Sequence, residues 1–332
     1  MKKLVGLILC VCILFFLCGC SAMEAISSDK QEYIVASLGF DKQEGNYAMF
    51  MEAIVVNTED MNADKQNIIL EGTGESIEEA YSQIISKITQ PLSLGHNAVT
   101  VIGKSVDAEM LEEILNYCSE NKELNIGSML IFTESAEKLL ALKPISSVAV
   151  GYDLMSMLKV WEEETGQSIE NRLYEVKSKT RKPFNVFSLP YIEVKGEEFS
   201  FDGLTVFENY GEICPLSTEE AGLYFLVTDR VSRGEFVTRG EKTRIKFSKT
   251  TYDFYFKENL VIRVNMRLKP TGGSSFLKKA TEEFIKQQKT LGRDIFGFSN
   301  IIEKQNPKLW QKIKNDYTEY FKNSEIEVRV NE

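Results

Sequence analysis

Two residue types in this 332-residue chain could carry chemistry by themselves, six cysteines and a single histidine. Four of the cysteines, Cys10, Cys12, Cys18 and Cys20, crowd into the first twenty residues, and the last closes the run Leu17-Cys18-Gly19-Cys20. An aliphatic residue at −3, small residues at −2 and −1 and then a cysteine make a lipobox. The signal peptidase holds such a segment extended in a narrow site, and the cysteine thiol takes up a diacylglyceryl group as a thioether. Lys2 and Lys3 followed by the apolar run Leu4 to Leu17 supply the matching leader. That run is too short to cross a hydrocarbon layer of ~30 Å at ~1.5 Å per residue. The expectation is a signal peptide over residues 1–19, lipidation of Cys20 and a linker over residues 20–30. An ordinary secretory leader cut nearer Ala22 is the alternative.

The histidine leads nowhere comparable. His96 lies in SLGHNAV, with Ser93 and Ser105 as the nearest nucleophiles to invoke, but there is no G-x-S-x-G elbow and no second histidine for H-E-x-x-H. A lone histidine at a helix-to-strand turn reads as structural. S-x-x-K occurs at Ser119/Lys122, Ser156/Lys159 and Ser275/Lys278, without the S-D-N and K-T-G elements of a serine acylase. Asp60, Asn62, Asp64, Gln66 and Glu71 fall at calcium-loop spacing, yet Lys65 occupies the position where the sharp turn wants glycine, and both flanks read as strands. A solvated acidic hairpin loop is the simpler reading. GTGES, residues 72–76, lacks the lysine of a phosphate loop and reads as the entry to a capped helix. The expectation is no catalytic residue, no metal site and no cofactor.

Composition agrees with a chain outside the cytoplasm. Beyond Cys20 only Cys118 and Cys214 remain; the first lies on an apolar helical face and the second precedes Pro215 in a turn, and a disulfide between them is left open. Removing residues 1–19 leaves 313 residues, enough for a large core or several domains, and moves the formal charge from −10 to −12. That acidity argues against a nucleic-acid partner and against broad adsorption on anionic lipid, so membrane contact is expected to come from the lipid.

The elements needed to carry these residues can be read from periodicity. Strands are expected at Tyr33–Phe40, Tyr47–Val56, Asn67–Gly72, Ala98–Ile102 and Ile126–Thr133. A capping box, Ser76-x-x-Glu79, opens a helix with the stripe Ile77, Tyr81, Ile84, Ile85 and Ile88. Met110, Leu111, Ile114, Leu115 and Cys118 mark a second helix, and shorter ones are expected at Ser135–Leu142 and Val148–Trp161. A second capping box stands at Ser217-x-x-Glu220. Ile262, Val264, Met266 and Leu268 alternate with Arg263, Asn265, Arg267 and Lys269 as a half-buried strand. Asn306-Pro307 caps a helix bearing Leu309, Trp310, Ile313, Tyr317 and Phe321, and Ile326, Val328 and Val330 end the chain as a strand. The pattern is α+β and multi-domain, with mixed or antiparallel sheets and packed helices. Boundaries are expected to give an N-terminal α+β domain over 31–196, a middle domain over 197–258 and a C-terminal α+β domain over 259–332.

Several segments, in order, resemble the Ger(x)C family, the lipoprotein C subunits of spore germinant receptors. They are the lipobox with IVASLGFDKQEGNYAMFMEAIV, then EGTGESIEEAYSQIISKITQPLSLGHNAVTVIGKSV, LNIGSMLIFTESAEKLL and FDGLTVFENYGEICPLSTEEAGLYFLV. The most specific is GRDIFGFSNIIEKQNPKLWQKIKNDY, with Asp294, Gly297, Phe298, Pro307 and Trp310 in the expected places. The chain departs from many members at Ser21-Ala22, where Trp-Asp follows the lipid cysteine, and in a short interval between Leu268 and Ser275. The resemblance implies a three-domain α+β protein on the outer face of the spore inner membrane. It implies partners, an A-type and a B-type integral membrane receptor subunit, and a germination response to small nutrients without catalysis. It further implies that Gly95 and His96 shape a turn and that DIFGF orients the last helix. Two other readings are a solute-binding lipoprotein delivering a small nutrient to a transporter and, behind it, a cell-envelope hydrolase.

Overall fold

The structure, a computed structural model, describes residues 32–56, 66–182, 184–238, 240–271 and 275–331. Among these, two sheets organise the molecule. The first has nine strands: β1 (Glu32–Gln43), β2 (Asn46–Val56), β3 (Gln66–Gly74), β4 (Leu92–Ser93), β5 (Val99–Gly103), β6 (Met129–Thr133), β7 (Val186–Lys195), β8 (Glu198–Glu208) and β9 (Gly211–Leu216). Their order is β3-β2-β1-β5-β6-β7-β8-β9, with β4 alongside β1. Antiparallel hairpins form both flanks, and β1, β5, β6 and β7 run parallel in the centre. Parallel strands need crossovers, and helices supply them. These are α1 (Ile77–Ile85), α2 (Ala108–Glu120), α3 (Ala136–Leu140), α4 (Val150–Thr165) and α5 (Leu173–Thr180).

The second sheet has four strands in the order β10 (Gly234–Thr238), β11 (Glu241–Phe256), β12 (Leu260–Pro270) and β13 (Glu325–Asn331). Helix α6 (Thr218–Val227) leads into it, and α7 (Ser275–Leu291), α8 (Phe298–Gln305), α9 (Pro307–Ile313) and α10 (Tyr317–Lys322) cross back to β13. The alternation in β12 holds: Ile262, Val264, Met266 and Leu268 are buried while Arg267 and Lys269 are exposed. The C-terminal helical stretch is broken rather than continuous. A 3-10 turn, Lys314–Asp316, separates α9 from α10, yet Leu309, Trp310, Ile313, Tyr317 and Phe321 all remain buried.

Two large apolar clusters fill most of the interior. One packs Leu38, Phe40, Met49 and Met51 against Ile84, Leu111 and Ile114, on the face that α1, α2 and α5 cover. The other starts from Phe50, Val99 and Val101 under α3 and α4, and continues without interruption through α6 to Ile262, Phe298 and Trp310 of the second sheet and its helices. The expected boundary at 196/197 falls at the tip of the β7–β8 hairpin, where Lys195 pairs with Glu198, and that at 258/259 falls at the tip of β11–β12, where Phe256 pairs with Leu260. The strand expected over Ile126–Thr133 begins only at Met129, because the Asn125 side chain accepts from Gly127 N–H at 2.9 Å and bends the chain just before it.

Candidate functional site

Cys20, the residue singled out for lipidation, lies outside the described residues, as do Asp60, Asn62 and Asp64 of the acidic spacing. His96 is exposed, at the end of a 3-10 turn spanning Leu94–His96 between β4 and β5, with Gly95 beside it. Ser105, one nucleophile to invoke, is otherwise engaged: its hydroxyl accepts from Lys42 N–H at 2.8 Å and faces the Asp41 carboxylate at 3.4 Å. Cys118 and Cys214 are both free and buried, on opposite faces of the first sheet. Burial pushes the Cys118 thiol up to about 12, far from any reactive thiolate. No cluster of His, Cys, Asp and Glu able to hold a metal ion exists among the described residues.

The buried carboxylates have structural work. Asp41, at the end of β1, accepts from Ala136 N–H at 3.2 Å, Glu137 N–H at 3.1 Å and the Ser135 hydroxyl at 3.1 Å. It therefore holds the first turn of α3, where unpaired N–H groups and the helix dipole both favour an anion. Glu52, fully buried in the middle of β2, does the same for α4. It accepts from Val150 N–H at 2.5 Å and Gly151 N–H at 2.9 Å, and from Ser37 at 2.5 Å and Asn67 at 2.7 Å. Gly151 leaves the room needed, since a Cβ there would sit 2.8 Å from the Ser37 Cβ. Sequence reasoning missed both residues. The available signal was a charge in the middle of an otherwise apolar strand, MFMEAIVV.

Asp294 is the third. Its carboxylate accepts from Phe298 N–H at 2.9 Å, Ser299 N–H at 2.8 Å and the Tyr317 hydroxyl at 2.8 Å, so it caps α8 and ties it to α10. Burial raises its pKa to about 6, against the opposing pull of these hydrogen bonds. Burial and the facing carboxylate hold the Tyr317 phenol well above its usual range. Asp294 thus orients the last helices, as the DIFGF segment was expected to.

A fourth polar group lies where the chain passes from the first sheet toward the second. Glu170 meets Lys179 at 2.8 Å and Arg230 at 3.2 Å, and the Arg230 guanidinium stands 5.3 Å over the Tyr224 ring. Desolvation, with Arg230 nearby, lowers Lys179 to about 8. The larger surface depressions are open grooves. One of ≈ 450 Å³ runs past Lys104, Tyr191, Asp202 and Glu212, and one of ≈ 430 Å³ lies between α1 and α2 beside Glu78, Glu113 and Glu120. Neither has the enclosed apolar walls and few convergent polar groups that mark a small-molecule site. No helix among the described residues is long and apolar enough to cross a membrane.

The family model described as "Spore germination protein N-terminal domain" matches residues 30–194, and the one described as "Spore germination B3/GerAC like, C-terminal" matches residues 273–331. No curated protein matches the chain. A solved structure, "Crystal Structure of the GerBC protein", is similar with a TM-score of 0.57 at 15% identity, over 89% of this chain and 95% of that one. At that identity the likeness establishes the shared multi-domain α+β fold. The two matched segments, in order and together spanning most of the chain, settle the family: the chain belongs to the Ger(x)C family of spore germination proteins.

Proposed function

We propose that this protein, whose family assigns it a role in spore germination, is the lipid-anchored, non-enzymatic subunit of a nutrient germinant receptor. It would stand on the outer face of the spore inner membrane through a diacylglyceryl group on Cys20. Its partners would be the A-type and B-type integral membrane subunits. The observation that carries this reading is the Leu17-Cys18-Gly19-Cys20 run, which ends only twelve residues before β1 in a chain of this family. A dozen residues reach at most ~40 Å when fully extended, so the folded part is held close to the bilayer. Asp41, Glu52 and Asp294 spend their carboxylates on helix N-termini, which supports a framework built for assembly. In this reading the three domains expected at 31–196, 197–258 and 259–332 work as one body.

The test is to extract an epitope-tagged copy from spore inner membrane in mild detergent and identify what co-purifies. Two integral membrane proteins should accompany the wild type and be lost with Cys20→Ala. Recovery alone, or with transporter components, would replace this reading with that of a solute-binding lipoprotein.

A further inference from the structure

The loop between α3 and α4 exposes two large apolar side chains. Ile145 is 69% exposed, more than any other large hydrophobic side chain among the described residues, and Val148 is 36% exposed. The exposure is built in rather than incidental. The buried Asp153 carboxylate accepts from Ile145 N–H at 2.5 Å and from the Ser146 hydroxyl at 2.9 Å, and the Ser147 hydroxyl donates to Ala149 C=O at 2.5 Å. These bonds hold the loop with its apolar side chains outward.

The place of this loop matters as much as its character. Ala149 packs with Ala36 of β1 and Ile54 of β2, and Ile34 and Tyr152 pack around them. The end of the loop that enters α4 is therefore fixed beside residues 34–36, within a few residues of Glu32, where the described chain begins twelve residues after Cys20. In a protein with 49 acidic residues, the fifteen residues from Lys138 to Tyr152 include no carboxylate and two lysines, Lys138 and Lys143.

We propose that residues 143–148 form a membrane-contact surface, with Ile145 and Val148 inserted at the interface of the bilayer that holds the Cys20 lipid. This rests on the lipid-anchor reading and deepens it. One acyl-type anchor leaves a domain free to swivel, whereas a second contact beside the tether fixes which face meets the membrane and which face meets partners. Interfacial insertion of a few apolar side chains flanked by lysine is the chemistry by which peripheral proteins add to a lipid anchor.

The experiment uses the full chain carrying its own anchor, reconstituted into phosphatidylcholine–phosphatidylglycerol vesicles with brominated acyl chains. Ile145→Trp adds a reporter at an already exposed apolar position, and Phe247→Trp on β11 is the control. Emission added at position 145 should be lost in brominated relative to plain vesicles, while that at 247 is unchanged. No loss at 145 overturns the proposal. A blue-shifted tryptophan at 145 in native membrane that brominated lipid does not quench also overturns it, because a protein partner would then cover the loop. Mass spectrometry of the Cys20 peptide from the same preparation judges the anchor separately. Should Cys20 carry no lipid, flotation of the full Cys20→Ala chain with vesicles decides the loop alone. Adding Ile145→Ser and Val148→Ser should then weaken binding roughly tenfold, about the weight of one to two apolar side chains leaving an interface. Unchanged flotation would overturn the proposal.

Discussion

Asp294 shows how a single carboxylate can be both a structural clamp and a pH-dependent element. It is buried just ahead of α8 and accepts three hydrogen bonds, yet desolvation dominates and lifts its folded pKa to about 6. A carboxyl raised in the folded state binds its proton more tightly there than in the unfolded chain. Its contribution to stability is thus fully present below the unfolded value near 4 and is lost as pH rises through about 6. Asp294→Asn keeps an acceptor but removes the titration. Urea unfolding of both proteins between pH 4 and pH 7 should show the difference in their stabilities changing by about 2–3 kcal/mol, wild type losing ground as pH rises. A constant difference across that range would mean that Asp294 ionises as an ordinary carboxylate. Glu52 and Asp41 belong to the same scale, each serving helix N–H groups that no neighbouring serine reaches alone.

Between elements, the segment that leaves α4 decides how the two sheets meet. Gly166 ends that helix with φ of +63°, and a Cβ there would lie 2.2 Å from Arg233 C=O, just ahead of β10. Ser232 N–H donates to Gly166 C=O at 3.0 Å and Ser168 N–H donates to Arg230 C=O at 2.9 Å, so the approach is backbone on backbone. Gly196, at the β7–β8 turn, has nearly the same φ of +64°, with nothing within 4 Å of the place a Cβ would take. The pair separates strain from collision. Gly196→Ala should cost about 1–2 kcal/mol, the ordinary penalty of a left-handed alanine, whereas Gly166→Ala should cost at least about 2 kcal/mol more because the segments must part. Equal losses in thermal or urea unfolding would mean that the two segments are not held in register here. The capping boxes were plain from sequence because they are local. Ser217 and Glu220 exchange their bonds as the spacing implies, while at Ser76 the Glu79 carboxylate reaches back to Glu75 N–H instead.

At the scale of the molecule, one apolar cluster joins both sheets. Trp161 of α4 lies 4.6 Å from the Phe201 ring of β8 and 5.9 Å from that of Phe225 in α6, and Phe184, ahead of β7, meets Trp310 at 5.4 Å and Tyr317 at 5.5 Å. The C-terminal helices therefore close back onto the first sheet. Because both tryptophans sit at these junctions, their fluorescence should change together with far-ultraviolet circular dichroism in a single urea transition. Two separated transitions would show that the sheets unfold independently and share less than their packing implies.

The capped helices, the half-buried alternation of β12, the α+β class and the family resemblance were all legible in the order of the residues, because each depends on neighbours along the chain. It took the folded molecule to reveal that Glu52 serves α4 across 98 positions, that Asp41 holds α3, and that Ile145 is left exposed beside the start of β1. Hydrogen-bond partners that distant leave no period in the sequence, and an apolar side chain in a loop reads the same whether it is covered or bare. Burial is a property of what the folded chain brings alongside, and only the assembled sheets supply it.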